Sequence, residues 1–252
     1  MSQRLDAVMT DALAALHGVL EKHQVNEQEW HAVLAFLTEV GQADEFILLS
    51  DVTRTSVLID GLTHGGDESG ATASDVEGPM YTNEPPFREK IYEEYEGMGD
   101  DDPLFFRGAV TSTDGSPLPD AIVDVWQTGP AGGYDIWDER QPEGNFRGRV
   151  RASGDGSYEF QTMLPKPYTV PTTGPVGRYL DAVGQHPWRP AHIHLKVTAP
   201  GHQTLVTQVF FPDDPYLEND TIGAVKSSLV RPVERRDDHL ECAFDIALRP
   251  AA

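Results

Sequence analysis

The chain has 252 residues, 39% hydrophobic and 24% charged, enough for one large core or a core with an appendage. Nineteen Lys and Arg face forty-one Asp and Glu, a net charge of −22, which sets nucleic acid and anionic membranes aside as partners. A single cysteine, Cys242, excludes an intrachain disulfide framework and every Cys-rich metal site. No apolar run approaches the roughly 20 residues of a membrane span. Met1 to Asp6 lacks a basic-then-apolar signal pattern, so a soluble cytoplasmic protein without membrane insertion is expected.

In chain order, Leu5, Val8, Met9, Ala12, Leu13, Leu16, Val19 and Leu20 recur at three- and four-residue spacing and predict an amphipathic helix. Asn26 with Glu29 forms a capping pair for a second helix carrying Trp30, Val33, Leu34, Leu37 and Val40, with Gly41 at its C-cap. A third helix is predicted over Asp44 to Leu62, ended by a His64-Gly65-Gly66 turn. Residues 1–70 therefore read as a helical domain and 71–252 as a second domain of short strands.

Between Gly78 and Pro103 the composition is irregular, with room for a short helix over Arg88 to Tyr95. Strands are predicted over Leu104–Thr111, Ala121–Gln127, Gly148–Ala152, Tyr158–Thr162, His192–Thr198, Thr204–Phe211 and Leu240–Leu248. Asp114-Gly115 and Asp155-Gly156 supply turns between them. Short strands at this spacing suggest a mainly β fold, an antiparallel β-sandwich. A long Pro/Gly-rich loop fills Leu164 to Pro190, and loops of that length are usually functional or disordered.

The sharpest local feature is Arg189-Pro-Ala-His192-Ile-His194-Leu-Lys-Val197. On a strand, residues i and i+2 share a face, so His192 and His194 project together, about 7 Å apart at the backbone. Two imidazoles on one rigid strand make a chelate for a transition metal; an exposed face that happens to read His, His, Lys196 is the alternative. Further donors are not singled out by spacing, because cysteine is absent and carboxylates are too numerous for choosing one. Tyr134 and Tyr168 each follow a predicted strand on a loop that a sheet can position, and phenolate is a hard ligand suited to Fe(III). For either Tyr alone, a half-buried anchor with a bonded hydroxyl is the competing reading.

Taken together, Glu77-Gly-Pro-Met-Tyr81, Val123-Asp-Val-Trp-Gln127, Gly133-Tyr134, Pro167-Tyr168 and Trp188-Arg-Pro-Ala-His-Ile-His194 resemble the intradiol ring-cleavage dioxygenases. The likeness continues through Ala199-Pro-Gly201, Thr207-Gln208 and Asp214-Pro-Tyr-Leu217, covering residues from about 74 to 232. The helical front is similar to that of the catechol, chlorocatechol and hydroxyquinol branches. Two departures are mild: Gln185-His-Pro-Trp replaces a commoner Arg-His pairing, and Met80 stands where Leu or Phe is frequent.

The resemblance implies one non-haem Fe(III) per subunit, held by Tyr134, Tyr168, His192 and His194, with Tyr179 a rival for the second Tyr. It implies that Tyr168 is a labile ligand able to take a substrate proton. Arg189 and Gln208 would stand beside the substrate, Arg189 stabilising charge on the ring, and Met80 would line its pocket. The substrates would be an aromatic vicinal diol and O2. The product would be a cis,cis-muconate-type dicarboxylate, or maleylacetate if the diol is hydroxyquinol. A homodimer through the helical unit, with a lipid tail between subunits, is also implied. Against hydroxyquinol, a third hydroxyl needs a buried polar partner, and only Thr82 and Asn83 lie near Met80 in sequence. Two other classes compete. A His-based metallohydrolase would need carboxylate ligands. A prealbumin-type binding module is similar over Phe106 to Val110 and Asp114 to Val125, but it lacks the paired His and loop Tyr.

Overall fold

The structure, a computed structural model, describes residues 3–65 and 70–251, and divides into two compact units between Glu45 and Phe46. In the first, α1 (Gln3–His23) and α2 (Glu27–Gln42) form where the apolar spacing predicts. The capping box is complete: Glu29 N–H donates to Asn26 Oδ1 at 3.0 Å, and Asn26 N–H to the Glu29 carboxylate at 2.9 Å. Gly41 is not the cap. The helix runs on to Gln42, and Asp44 takes the left-handed conformation, φ 57°.

The second unit opens with two helices rather than the single one expected over Asp44 to Leu62. α3 (Phe46–Val52) and α4 (Thr55–His64) are separated at Arg54, whose φ of 60° breaks the helical run. Thr53 helps to end α3 by donating its hydroxyl to the Leu49 carbonyl at 2.8 Å. Gly66, the end of the expected turn, lies outside the described residues.

Two main sheets follow. β2 (Ile122–Gln127), β3 (Arg147–Arg151), β7 (His192–Thr198) and β8 (Leu205–Phe210) form one, in the order β3-β2-β7-β8, antiparallel throughout. The other centres on β1 (Pro103–Ser112). β4 (Ser157–Met163) pairs with it antiparallel, but β10 (Leu240–Ala243) and β11 (Ile246–Leu248) pair with it in parallel, and β9 (Glu234–Arg235) lies beyond β10. The fold is therefore mixed and not the purely antiparallel one expected.

The predicted strand Leu240–Leu248 is interrupted for a local reason. Phe244 N–H donates to Arg107 O, and Ala109 N–H turns to the Asp245 side chain at 3.0 Å. Gly108 permits this crossing, because a Cβ there would stand 1.9 Å from the Phe244 carbonyl oxygen.

Arg88 to Tyr95 is not helical. Phe87 and Lys90 make single bridges to Arg149 and Gln161, drawing the segment out between β3 and β4. Nor is Leu164 to Pro190 a plain loop. It contains β5 (Tyr168–Thr169), α5 (Pro175–Val183) and β6 (Trp188–Arg189), and β5 pairs with β6 so that Tyr168 stands opposite Arg189.

Candidate active site

β7 keeps its expected bounds and lies between β2 and β8, so its position is fixed from both sides. Ile193, Leu195 and Val197 are fully buried, as the alternation predicts. The opposite face is covered too. His192 and His194 are each 2% exposed, which removes the reading of a solvent-facing His, His, Lys stripe. Register sets their neighbours: Trp126 on β2 and Gln208 on β8 flank His194, and Phe210 stands beside His192. The Trp126 and His194 rings stack at 4.7 Å.

His192 hydrogen-bonds Pro190 O through Nδ1 at 2.8 Å, so Nδ1 carries the proton and Nε2 keeps its lone pair. That Nε2 lies 3.1 Å from His194 Nε2. Burial, with the Arg189 charge next, pushes both imidazole pKa values well below the usual His range, and both rings are neutral.

The two loop tyrosines reach the same place. Tyr134 follows a tight turn in which Gly129 N–H donates to Gly133 O and Gly132 N–H to Gly129 O. Gly132 has φ 81°, and a Cβ there would come 3.3 Å from Pro167 O, beside Tyr168. The Tyr134 and Tyr168 rings meet edge to face at 5.5 Å, and Tyr168 lies 5.6 Å from the His192 ring. Tyr134 is 1% exposed and its hydroxyl has no hydrogen-bond partner. Burial, then the neighbouring Tyr168, raises its pKa well above the usual phenol value. Tyr179 instead lies on α5, and it is Tyr168 that contacts Tyr134 and His192.

Arg189 is buried behind this quartet. Its Nε and Nη2 both donate to the Asp220 carboxylate at 3.2 Å, Nη2 also to Gln208 Oε1 at 2.9 Å, and Nη1 to His192 Nε2 at 3.0 Å. Gln208 in turn donates to Val76 O at 3.0 Å. Desolvation opposes the Arg189 charge, but Asp220, Tyr168 and Asp75 together outweigh it and hold the pKa above the ordinary Arg range. A small cavity opens over these groups, lined by Leu48, Asp51, the run Glu77 to Met80, Trp137, Tyr168, Val170, Pro171, Arg189, His194 and Ile222. Met80 packs against the cluster of Trp126, Tyr134 and Tyr168. Thr82 and Asn83 are exposed and do not line it.

The family model described as Dioxygenase matches residues 76–250, and the one described as Catechol dioxygenase N terminus matches residues 2–70. A hydroxyquinol 1,2-dioxygenase of Rhizobium sp. (strain MTP-10005) is 40% identical over 93% of this chain and 81% of its own length. A chlorocatechol 1,2-dioxygenase of Cupriavidus pinatubonensis is 35% identical over 92% and 89%. The crystal structure of hydroxyquinol 1,2-dioxygenase from Pseudomonas putida DLL-E4 superposes with a TM-score of 0.89 at 35% identity, over 99% of this chain and 93% of that one. The chain belongs to the intradiol ring-cleavage dioxygenases.

For an intradiol dioxygenase, the donors present fit a metal that accepts phenolate. Among the described residues no three His, Cys, Asp or Glu side chains converge as ligands, so the imidazole pair needs other donors, and the adjoining ones are phenols. Metal–nitrogen bonds of about 2.0–2.1 Å let one ion reach two nitrogens about 3.0–3.4 Å apart. The two Nε2 atoms stand at 3.1 Å. The unpartnered Tyr134 hydroxyl is a buried polar group whose cost a cation would relieve.

Three contributors to the site escaped the sequence reading: Asp220, which anchors Arg189, Arg147, which touches Met80 and Tyr134, and Asp51, which reaches the cavity from α3. Asp220 is one of several carboxylates after Phe211, and no local spacing marks it. Arg147 opens a strand that alternates Arg with Gly and Val. Asp51 sits in a helical run that reads as part of the front.

Proposed function

We propose that this intradiol dioxygenase uses Fe(III) held by Tyr134, Tyr168, His192 and His194 to cleave a trihydroxylated ring, hydroxyquinol, between adjacent hydroxyl carbons. Both atoms of O2 enter the product, so hydroxyquinol yields maleylacetate and catechol cis,cis-muconate. The observation that carries the substrate choice is Asp51. It is 4% exposed, lines the cavity, and has a pKa raised first by burial. A third hydroxyl needs a buried polar partner, and the Asp51 carboxyl, which also bonds Ser56, offers an acceptor in the cavity wall that a simple catechol would not use. The 40% identical hydroxyquinol relative supports the same choice. Met80, flexible and polarizable in the wall, supports tolerance for a ring substituent such as chlorine.

Bound Fe(III) would supply Lewis acidity toward the diol oxygens. The chain's own groups do the rest. The neutral His192 and His194 would offer lone pairs without adding charge, His192 Nε2 in place of the hydrogen bond it accepts from Arg189 Nη1. Tyr168, on the cavity wall, would take up a substrate proton on its phenolate oxygen and become the neutral phenol. Arg189, fixed by Asp220 and Gln208, presents a permanent positive charge to negative charge that develops on the ring. Val170, Pro171, Leu48 and Ile222 keep water from the ring. The buried, unpaired Cys242 suits a reducing cytoplasm. The apolar stripe of α1 fits a homodimer that can enclose a lipid tail, which mass spectrometry of extracts would detect.

The deciding experiment measures iron, visible absorption and kcat/KM for hydroxyquinol, catechol and 4-chlorocatechol, with product identification. A red-brown protein that loses iron and colour in Tyr134→Phe and His194→Ala is expected. Full iron and unchanged colour in both would sink the ligand set. A hydroxyquinol preference above about tenfold, about 1.4 kcal/mol, is expected, and Asp51→Ala should erase it. A yellow extradiol product, or no O2 uptake with any diol, overturns the reaction itself.

A further inference from the structure

Arg147, the first residue of β3, is 2% exposed and buries a guanidinium beside the quartet. Its Nε donates to Asp135 Oδ1 at 2.7 Å, and its Nη1 to the Met80 carbonyl at 2.5 Å. Its Nη2 is buried without a partner. The guanidinium carbon lies 5.8 Å from the centre of the Tyr134 ring. Asp135, next to Tyr134 in the chain, is itself fixed, because its other oxygen accepts Gly144 N–H at 3.0 Å. One planar fork therefore ties together the neighbour of Tyr134, the Tyr134 ring and the cavity wall at Met80.

Stability alone is a poor reason for this arrangement. A buried Arg–Asp pair is commonly matched or bettered by apolar side chains of similar volume. An apolar replacement would not put a positive charge against the Tyr134 ring, nor donate to the Met80 carbonyl.

We propose that Arg147 is a positioning residue of the metal and substrate site: its fork sets the Met80 wall relative to Tyr134, and its charge stabilises the Tyr134 phenolate as a ligand. The inference rests on the reading of Tyr134 as an iron ligand. The two roles separate, because lysine keeps the charge but lacks the fork, whereas glutamine drops the charge and keeps amide donors.

The test uses full-length, iron-loaded protein and reads the phenolate-to-iron charge-transfer band together with diol kinetics. In Arg147→Lys the band should stay near its wild-type wavelength, while KM rises about fivefold, more than kcat falls. In Arg147→Gln the band should move to longer wavelength, because the phenolate electrons lose the adjacent positive charge. Asp135→Asn, which removes the compensating negative charge, should move it to shorter wavelength. Opposite shifts from the two neutralised partners are not what a merely structural lesion produces. Should Arg147→Gln fail to fold, Asp135→Asn and Arg147→Lys still carry the test. Unmoved bands with unchanged KM, or shifts in one direction only, overturn the proposal. A wild-type protein without iron or a charge-transfer band instead defeats the underlying reading of Tyr134.

Discussion

α1 and β7 are both apolar along one side, yet they end in opposite conditions. α1 carries Leu5, Val8, Met9, Leu13, Leu16 and Val19 on one stripe and buries none of its residues. β7 buries five of its seven residues, the two histidines included. A central strand has neighbours from its own chain on both edges and sheets or loops over its faces. A helix at the front of a chain has a stripe whose direction periodicity fixes, but whose cover it does not. The difference explains why polar chemistry gathers on β7. Complete burial holds the two imidazoles neutral, their pKa values well below the usual histidine range, and keeps the Arg189 charge out of water, where its interactions are stronger.

The same substitution should therefore act in opposite ways in the two places. Leu195→Glu puts an unpaired carboxylate at a fully buried position of β7. A loss above about 4 kcal/mol is expected, enough to leave little folded protein. Leu13→Glu falls on a residue 48% exposed. It should leave thermal unfolding of the sheet unit and kcat as they are, and shift sedimentation from dimer to monomer. A dimer that survives Leu13→Glu would remove α1 from the proposed interface, and a soluble, fully active Leu195→Glu would refute the contrast.

How much was legible follows the same division. The bounds of β7, the shared face of His192 and His194 and the Asn26–Glu29 box are properties of neighbouring residues, and periodicity exposes them. The parallel pairing of β1 with β10 and β11 is not, since it joins stretches more than a hundred residues apart. β5 and β6 are two residues each, too short for any period, yet their pairing sets Tyr168 opposite Arg189. α5 did carry a readable signal, Pro175 at its start and Gly184 past its end, masked by the surrounding Pro and Gly. Asp51, Asp220 and the Arg147 fork depend on which of forty-one carboxylates and which carbonyls fold onto the site, and composition hides them.

Complete burial also carries a titratable penalty. Asp75 is 3% exposed; one oxygen accepts Val76 N–H at 2.7 Å and the other has no partner. Burial, opposed by the Lys226 charge, raises its pKa to about 7. The unfolded side chain titrates near 3.9, so between about pH 4 and 7 the folded state holds the extra proton. This stabilisation is fully present below pH 4 and is lost as pH rises through 7, with a ceiling of about 4 kcal/mol. Asp75→Asn cannot titrate there. The difference in Tm, variant minus wild type, should climb from pH 4 to 7 and level off above 8. A flat difference would mean that Asp75 is ionised in the folded protein throughout.

The smallest expected effect tests whether the two regions are independent at all. Asn26→Ala removes the side-chain half of the capping box, leaving Glu29 N–H without its acceptor at the start of α2. Such a loss costs about 1 kcal/mol of helix stability. It falls wholly within the first compact unit, and none of that unit's residues lines the cavity over the quartet. Helical signal at intermediate temperature should therefore fall, and dimer dissociation should become easier by up to about fivefold. The kcat/KM for the diol, measured at concentrations above dimer dissociation, should stay within error of wild type. A drop in kcat/KM that tracks the loss of helix would show that burial around β7 depends on the front helices. The contrast between a self-sufficient sheet unit and an unfinished helical one would then give way to a single coupled structure.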